Sequence, residues 1–383
     1  MKFLHLSDLH IGKSVNGFSM IEEQKNAFDQ ILQYIHKHCP DAILIAGDVY
    51  DRAVPSVEAV RVFDDFLTAL AQEGVVTLLI AGNHDSPDRL AYANRLLQDK
   101  NIYLSGSFDG KIRSVTLKDE YGEVDFWMLP FVRPAVVRGF FYENDIETYN
   151  DAVSAILENT DIDNTKRNVL LSHQFYVSAG VTPVRSESEI NSVGGLDAID
   201  AGLLSFFDYV ALGHLHGSQR VGSENIRYAG SPIKYSFSEW KQNKSILLIE
   251  LKEKGDLSTT VLPIKPIHDM RELRGDIETL INAGNVAGDK CNDYLRIILT
   301  DNDEIIDPLN KLRSVYPNVM ALDFENLRTS IDISSVMADS QKVSTLSHYE
   351  LFSEFFLEIS GTVMSEEQTE LVRELLDKEE STL

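Results

Sequence analysis

Five apolar segments of this chain, each with the length of a β-strand, end directly in residues that can bind metal ions. The residues that follow them are Asp8 and His10, Asp48 and Asp51, Asn83 and His84, His173, and finally His214 and His216. In an open α/β sheet, ligands bind beyond the carboxyl ends of the strands, where side chains from neighbouring strands converge. The sequence therefore predicts an α/β fold in which distant segments build one polar site.

The segments between these points support the same fold class. Residues 18–38 and 57–70 have the apolar spacing of amphipathic helices, and nearly continuous apolar strands such as 42–47 are typical of sheets covered on both faces. Beyond residue 217 the pattern changes to antiparallel hairpins, and after Pro266 a small α/β unit begins with a predicted helix over 270–281. We predict a first domain over 1–265, a second over 266–330, a linker over 331–344 and a helical segment over 345–383.

The formal net charge of −25 limits the function classes that fit the chain. Such a charge repels nucleic acid at long range, which argues against a passive DNA-binding module. It does not exclude an enzyme that holds divalent metals, because bound ions supply local positive charge. The two cysteines, Cys39 and Cys291, are far apart, and no signal peptide or membrane-spanning run is present. These features predict a cytoplasmic protein without disulfides and with no membrane association.

The donor set of aspartate, asparagine and histidine suits Mn²⁺, Fe or Zn²⁺ better than Ca²⁺, which prefers oxygen alone. Each motif by itself could be an ordinary turn or helix cap, but five in order after five predicted strands are unlike a chance pattern. Seven candidate ligands are too many for one ion with an open position and enough for two ions that share a carboxylate. Two such ions can bind a phosphate and activate water. Adjacent residues of a turn do not easily bind one ion, so His84 is available as an acid beside Asn83.

The motifs D-x-H, G-D-x-x-D, G-N-H-D, a strand-ending His and G-H-x-H resemble those of the calcineurin-like binuclear metallophosphoesterases. Longer stretches, including "GNHDSPDRL", "LPFVRP" and "RYAGSPIKYSFSE", are similar to the bacterial SbcD branch of that family, and the resemblance covers almost the whole chain. It implies a four-layer α/β/β/α sandwich, a small α/β capping domain and a C-terminal helical tail.

The resemblance also implies roles for individual residues. One metal would be held by Asp8, His10, Asp48 and His216, and the other by Asp48, Asn83, His173 and His214. The ions active in this family are usually Mn²⁺. His84 would contact the phosphate and protonate the leaving oxygen, and we expect the Asp51 carboxylate to orient it. Arg52 and Arg89 are candidate phosphate ligands, although a surface ion pair is an equally good interpretation of either.

By the same resemblance the chain would be a 3′ to 5′ exonuclease on double-stranded ends that also opens hairpins and acts in DNA repair, recombination and replication. Its ATP-dependent work would need the coiled-coil ATPase SbcC, bound by helices within 345–380, in a heterotetramer with two copies of each subunit. The 266–330 domain would select DNA, and Phe63, Phe66 and Leu67 are weak candidates for a homodimer contact. Two alternatives stay open: a phosphodiesterase for small substrates, and a non-catalytic scaffold, which would require a broken metal site.

Overall fold

The computed structural model describes residues 1–142, 144–178, 183–189, 197–303, 305–325, 348–360 and 362–380. The predicted linker, 331–344, lies outside the described residues. The strands are β1 Lys2–Leu6, β2 Ser14–Val15, β3 Phe18–Ser19, β4 Ala42–Ala46, β5 Val76–Ile80, β6 Ile102–Ser105, β7 Arg113–Asp119, β8 Gly122–Leu129, β9 Arg167–Ser172, β10 Tyr176–Val177, β11 Ile199–Asp200, β12 Tyr209–Leu212, β13 Gln219–Val221, β14 Ser223–Tyr228, β15 Ser245–Leu251, β16 Leu257–Pro263, β17 Met270–Gly275, β18 Tyr294–Leu299 and β19 Val319–Phe324. The helices are α1 Ile21–His38, α2 Val57–Glu73, α3 Pro87–Leu90, α4 Asn94–Leu97, α5 Pro134–Val137, α6 Tyr149–Glu158, α7 Ile277–Asn285, α8 Pro308–Arg313, α9 His348–Ser360 and α10 Glu366–Glu380.

Two six-stranded mixed sheets form the larger of two compact units, Met1–Asp269. The first sheet has the order β16-β15-β1-β4-β5-β6, and the second has the order β13-β14-β12-β9-β8-β7. Strands β1, β4 and β5 are parallel neighbours in the first sheet, and β9 and β12 are parallel neighbours in the second. The five strands whose ends carry the predicted ligands are therefore interior strands of the two sheets.

Residues from both sheets share one apolar core. Leu44 of β4 belongs to the same buried cluster as Phe126 and Leu171 of the second sheet. All five residues of β4 are buried, so its other face is covered as well. Helices α1 and α2 supply that cover on the first sheet, and α6 packs on the outer face of the second. The four-layer α/β/β/α fold that the resemblance implied is confirmed.

Helix α2 buries two of the residues that we considered for a homodimer contact. Phe66 stacks on Phe28 of α1 with ring centroids 4.3 Å apart, and Phe63 packs against Tyr50. These rings belong to the core of the chain, so the expectation that they lie on a surface for self-association is wrong. Leu67, the third candidate, is partly buried on the same helix.

The second unit, Met270–Leu383, contains the three-stranded parallel sheet β17-β18-β19 with α7 and α8. The helix predicted over 270–281 begins only at Ile277, and Met270–Gly275 is the strand β17. Asp276 separates the two, because its side chain accepts a hydrogen bond from the Thr279 amide and caps the helix. Pairing of β17 with β18 overrides the local helix propensity of the segment. None of the helices among the described residues is long and apolar enough to cross a bilayer.

Candidate metal centre

The predicted ligands lie on short loops with an unusual backbone. Asp8, His10, Asp48 and His214 all have positive φ, at 53°, 41°, 50° and 104°. Residues other than glycine rarely adopt this region, and such strain is concentrated at functional sites. Gly47, which precedes Asp48, also has a positive φ of 90°, and a Cβ atom there would lie 2.3 Å from the His173 ring. Only glycine fits at this position.

Asp48 lies between histidines from both sheets. Its Oδ2 atom is 3.2 Å from Nε2 of His173 and 3.7 Å from Nε2 of His10. Its Oδ1 atom accepts a hydrogen bond of 2.8 Å from the His84 amide. The Asp48 carboxylate thus has the central position that a bridging ligand would need.

The other predicted ligands surround Asp48 on two sides. On one side, Nε2 of His10 lies 3.1 Å from Nε2 of His216. On the other, Asn83 Oδ1 lies 3.1 Å from Nε2 of His173 and 3.0 Å from Nδ1 of His214. Three groups of side chains have their ligand atoms within 4.8 Å of one another: Asp8, His10 and His216; Asp8, Asp48 and His173; and His10, Asp48 and His84. The structure brings all seven predicted ligands together in one place.

The hydrogen bonds of the histidines show that the site fits cations. Nδ1 of His173 lies 2.7 Å from the Ala46 carbonyl oxygen and must donate to it. A neutral His173 therefore directs the lone pair of Nε2 towards Asp48 and the Asn83 carbonyl oxygen. Acceptors that converge in this way need a positive charge between them, and a divalent ion meets that need.

The electrostatics follow from burial and from this concentration of acceptors. Although burial lowers it, the Asp48 carboxylate raises the pKa of His173 to about 9. Without a cation His173 is therefore protonated near pH 7, and a divalent ion bound at Nε2 would displace that proton and leave the ring neutral. Burial lowers the pKa of His214 to about 3 and also lowers that of His10. Burial raises the pKa of Asp8. His10 and His214 are therefore neutral near pH 7, the form in which imidazole binds metals.

His84 occupies the edge of the site and is half-buried. Its Nδ1 atom lies 2.9 Å from the backbone carbonyl oxygen of Asp51. We expected the Asp51 carboxylate to orient His84. That expectation is wrong, because the Asp51 atom that contacts His84 is the backbone carbonyl oxygen. The carboxylate binds Lys13 instead, with 2.8 Å between Oδ1 and Nζ. The turn after β4 directs the carbonyl towards His84, while the carboxylate lies beside Lys13 and 3.8 Å from Nδ1 of His10.

The two arginines lie apart from the predicted ligands. Arg52 is 84% exposed, and its Nε atom is 3.5 Å from Asp51 Oδ2. Arg89 is exposed on the short helix α3. Neither guanidinium contacts a predicted metal ligand within the described part of the chain, and their phosphate-binding role stays a prediction.

Two buried carboxylates at the site were not assigned from the sequence. Asp85 accepts hydrogen bonds from the amides of Val49, Tyr50 and Gly82, at 3.1, 2.9 and 2.9 Å, and so joins the loops after β4 and β5. Its place in the "GNHD" turn was a signal for such a role, since aspartates often bind turn amides.

Glu239 is the second of these carboxylates. It accepts a hydrogen bond from Nδ1 of His216 at 3.1 Å and forms a buried ion pair with Lys244, with Oε2 and Nζ 2.6 Å apart. Lys244 in turn donates to the His216 carbonyl at 2.9 Å. Glu239 is 23 residues from His216 in the chain, and nothing in the spacing links them.

Comparison with known proteins agrees with this fold. Residues 1–218 match the calcineurin-like phosphoesterase family, and residues 266–359 match the type 5 capsule protein repressor C-terminal domain. The chain is 32% identical to the SbcD subunit of nuclease SbcCD from Staphylococcus epidermidis and 30% identical to that from Staphylococcus saprophyticus. Each alignment covers 98% of both chains. A dimetal phosphatase of known structure from Danio rerio aligns at 12% identity with a TM-score of 0.42, over 70% of this chain and 97% of that one. That likeness is too low to inform on function.

Proposed function

The chain belongs to the calcineurin-like phosphoesterase family, in the group of the SbcD nuclease subunits, and we propose that it is a metal-dependent DNA nuclease subunit. Its chemistry is the hydrolysis of phosphodiester bonds. The observation that carries the proposal is the convergence of Asp48, His173 and Asn83 on one point, where acceptors from both sheets meet.

We propose two metal positions that share Asp48. The first is held by Asp8, His10, Asp48 and His216, and the second by Asp48, Asn83, His173 and His214. The mixed oxygen and nitrogen donors suit Mn²⁺, Fe or Zn²⁺, and the resemblance to the SbcD nucleases leads us to propose Mn²⁺ at both positions. Divalent ions bound there would supply Lewis acidity to a phosphate and favour formation of a nucleophile from water near neutral pH.

The protein's own groups complete the reaction. Nδ1 of His84 donates to the Asp51 carbonyl, so the protonated ring would give its Nε2 proton to the departing sugar oxygen and be left neutral. The rings of His10 and His84 are in edge contact, with centroids 4.8 Å apart, which keeps this acid beside the predicted ligands. Asp85 keeps the loops that carry Asp48 and His84 in register through its amide hydrogen bonds.

The partner that we propose is the SbcC ATPase, in a complex with two copies of each subunit. Helices α9 and α10 expose apolar side chains that suit a coiled coil, among them Phe352, Phe355, Leu371 and Leu375. We also propose that the chain self-associates through the nuclease domain and that residues 266–330 select DNA. The proposed role is in DNA repair, recombination and replication, and the proposed location is the cytoplasm. Because a net charge of −25 repels DNA, we expect the basic surface of the ATPase partner to supply much of the affinity for DNA.

Cleavage of DNA is the direct test. We expect the chain mixed with its ATPase partner, ATP and Mn²⁺ to shorten linear duplex DNA, and His173→Asn to abolish this activity and lower the metal content. The matched control is His36→Asn, which changes an exposed histidine of α1. If the wild-type complex leaves DNA intact but hydrolyses small chromogenic phosphodiesters, the chain is instead a small-substrate phosphodiesterase.

A further inference from the structure

A cavity of about 220 Å³ adjoins the predicted metal site, and Asn83 and His214 form part of its wall. Three aromatic rings also line it, those of Phe131, Tyr149 and Phe175. The centroids of Phe131 and Tyr149 are 6.1 Å apart with the planes inclined by 43°. An aromatic wall directly beside a phosphodiester-cleaving centre is suited to a flat, partly apolar ring.

The cavity wall also contains two polar side chains, those of Gln174 and Asp197. Gln174 is 1% exposed, and its Nε2 atom donates to the Val132 carbonyl at 3.1 Å. Asp197 pairs with Arg185 through Oδ2, 3.2 Å away, while its buried Oδ1 atom has no hydrogen-bond partner in the part of the chain that the structure describes. Buried polar groups are normally hydrogen-bonded, so this acceptor in the cavity wall indicates a ligand with an N–H group.

Arg133 brings a positive charge to the lining of this cavity. It is exposed and forms no ion pair within the part of the chain that the structure describes. A guanidinium of this kind is notable beside an acidic site in a chain of net charge −25, and it suits a phosphate oxygen. Phe131 and Arg133 both come from the "LPFVRP" stretch, whose residues the reaction itself does not use.

We propose that this cavity is a subsite for a nucleobase, that of the nucleotide whose phosphate occupies the predicted metal site. The base stacks on Phe131 and Tyr149, and its exocyclic amino group donates to Gln174 or Asp197. Arg133 binds a neighbouring phosphate. This inference rests on the proposed nuclease function and specifies its substrate as a nucleotide with an unstacked base.

The size of the cavity agrees with one ring system. Sites for drug-sized ligands span about 300–1,000 Å³, whereas this one is smaller. A base that enters it must leave the duplex stack, which costs least at a frayed end or a mismatch. The subsite would therefore favour cleavage at such positions without reading an extended sequence.

Kinetics on two matched DNAs test the subsite. One duplex carries adenine at the terminal nucleotide, and the other carries a tetrahydrofuran abasic residue there. We expect wild-type kcat/KM to be about tenfold higher on the adenine end. Phe131→Leu and Gln174→Met should reduce this ratio to near one. A folding defect would instead lower both rates equally. Tyr121→Leu, in the turn before β8 at the far end of the strand from Phe131, is the control and should keep the ratio.

Equal wild-type rates on the two ends, or a ratio that survives both substitutions, would overturn the subsite. Calorimetry with dAMP and with deoxyribose 5-phosphate gives an independent reading. We expect the wild type to bind dAMP about tenfold more tightly than deoxyribose 5-phosphate, and Phe131→Leu to bind the two ligands equally. If the wild type cleaves neither DNA, the nuclease proposal fails, while this binding comparison still supports or overturns the base subsite.

Discussion

Glu239 and His216 form a buried contact in which the Glu239 Oε1 atom lies 3.1 Å from Nδ1 of His216. Both side chains are at most 2% exposed. Because the carboxylate accepts a hydrogen bond from Nδ1, the His216 ring directs the lone pair of Nε2 towards His10, 3.1 Å away. The contact therefore fixes the tautomer and the orientation of a predicted metal ligand.

Glu239→Gln is expected to weaken Mn²⁺ binding about 10- to 100-fold, because groups that orient ligating histidines typically contribute that much. Calorimetric titration of the metal-free protein measures the effect. Thermal unfolding in EDTA reports separately on the loss of the ion pair with Lys244. Glu253→Gln, at an exposed position, is the control. Unchanged Mn²⁺ affinity in a folded Glu239→Gln protein would show that the carboxylate has only a structural role.

His84→Gln should lower DNA cleavage by about 10²- to 10⁴-fold, the range of general acid catalysis, while two ions remain bound. Metal content after dialysis and DNA affinity are measured beside the rate. His36→Gln, on the surface of α1, should change none of these quantities. Loss of a metal ion in His84→Gln would identify this side chain as a ligand, in keeping with its place in the group of His10, Asp48 and His84.

Asp51→Asn should reduce cleavage by less than about tenfold, because the atom that holds His84 is the backbone carbonyl. The substituted side chain loses its charge towards Lys13 and leaves that carbonyl in place. Single-turnover cleavage rates of Asp51→Asn and His84→Gln, measured together, show whether cleavage depends on the Asp51 carboxylate. A loss as large as that of His84→Gln would mean that the carboxylate itself takes part.

The ion pair of Asp119 and Arg167 predicts a pH dependence of stability away from the site. Arg167, 4% exposed, donates to both carboxylate oxygens of Asp119 and holds the pKa of that carboxyl well below its usual range. A carboxyl whose pKa is depressed in the native protein contributes stabilisation that is complete above its ordinary pKa. This stabilisation is lost as the pH falls through the native pKa. We expect Asp119→Asn to lower the free energy of unfolding by about 1–3 kcal/mol near pH 7, and the difference from wild type to shrink below about pH 4.

Urea unfolding between pH 3 and pH 8 measures this difference. Asp109→Asn, which breaks an exposed pair with Arg113, is the matched control and should cost about 0–1 kcal/mol. A constant difference across the pH range would show that Asp119 is not preferentially ionised in the native protein. DNA cleavage at neutral pH should be unaffected by Asp119→Asn, because the pair lies at the opposite strand ends from the site.

The sequence by itself determined the α/β fold class and the polar residues that meet at the strand ends, whereas the packing of two sheets in one core was an implication of the family resemblance. Runs such as "AILIA" admit little besides a strand buried on both faces, and the polar residues after them can only lie at strand ends. The candidate ligands are therefore recognisable from local pattern, and the family resemblance separates them from Asp51 and His84. The same reasoning failed over 270–275, where strand pairing with β18 outweighed local helix propensity.

Tertiary structure alone decided the contacts between segments that are far apart in the chain. It placed the Asp51 carbonyl, and not its carboxylate, against His84. It also brought Glu239 to His216, and Gln174 and Phe131 to one cavity wall. Such contacts depend on how loops turn after each strand and on which face a side chain takes. That choice is made by packing across the whole domain, so no local spacing encodes it.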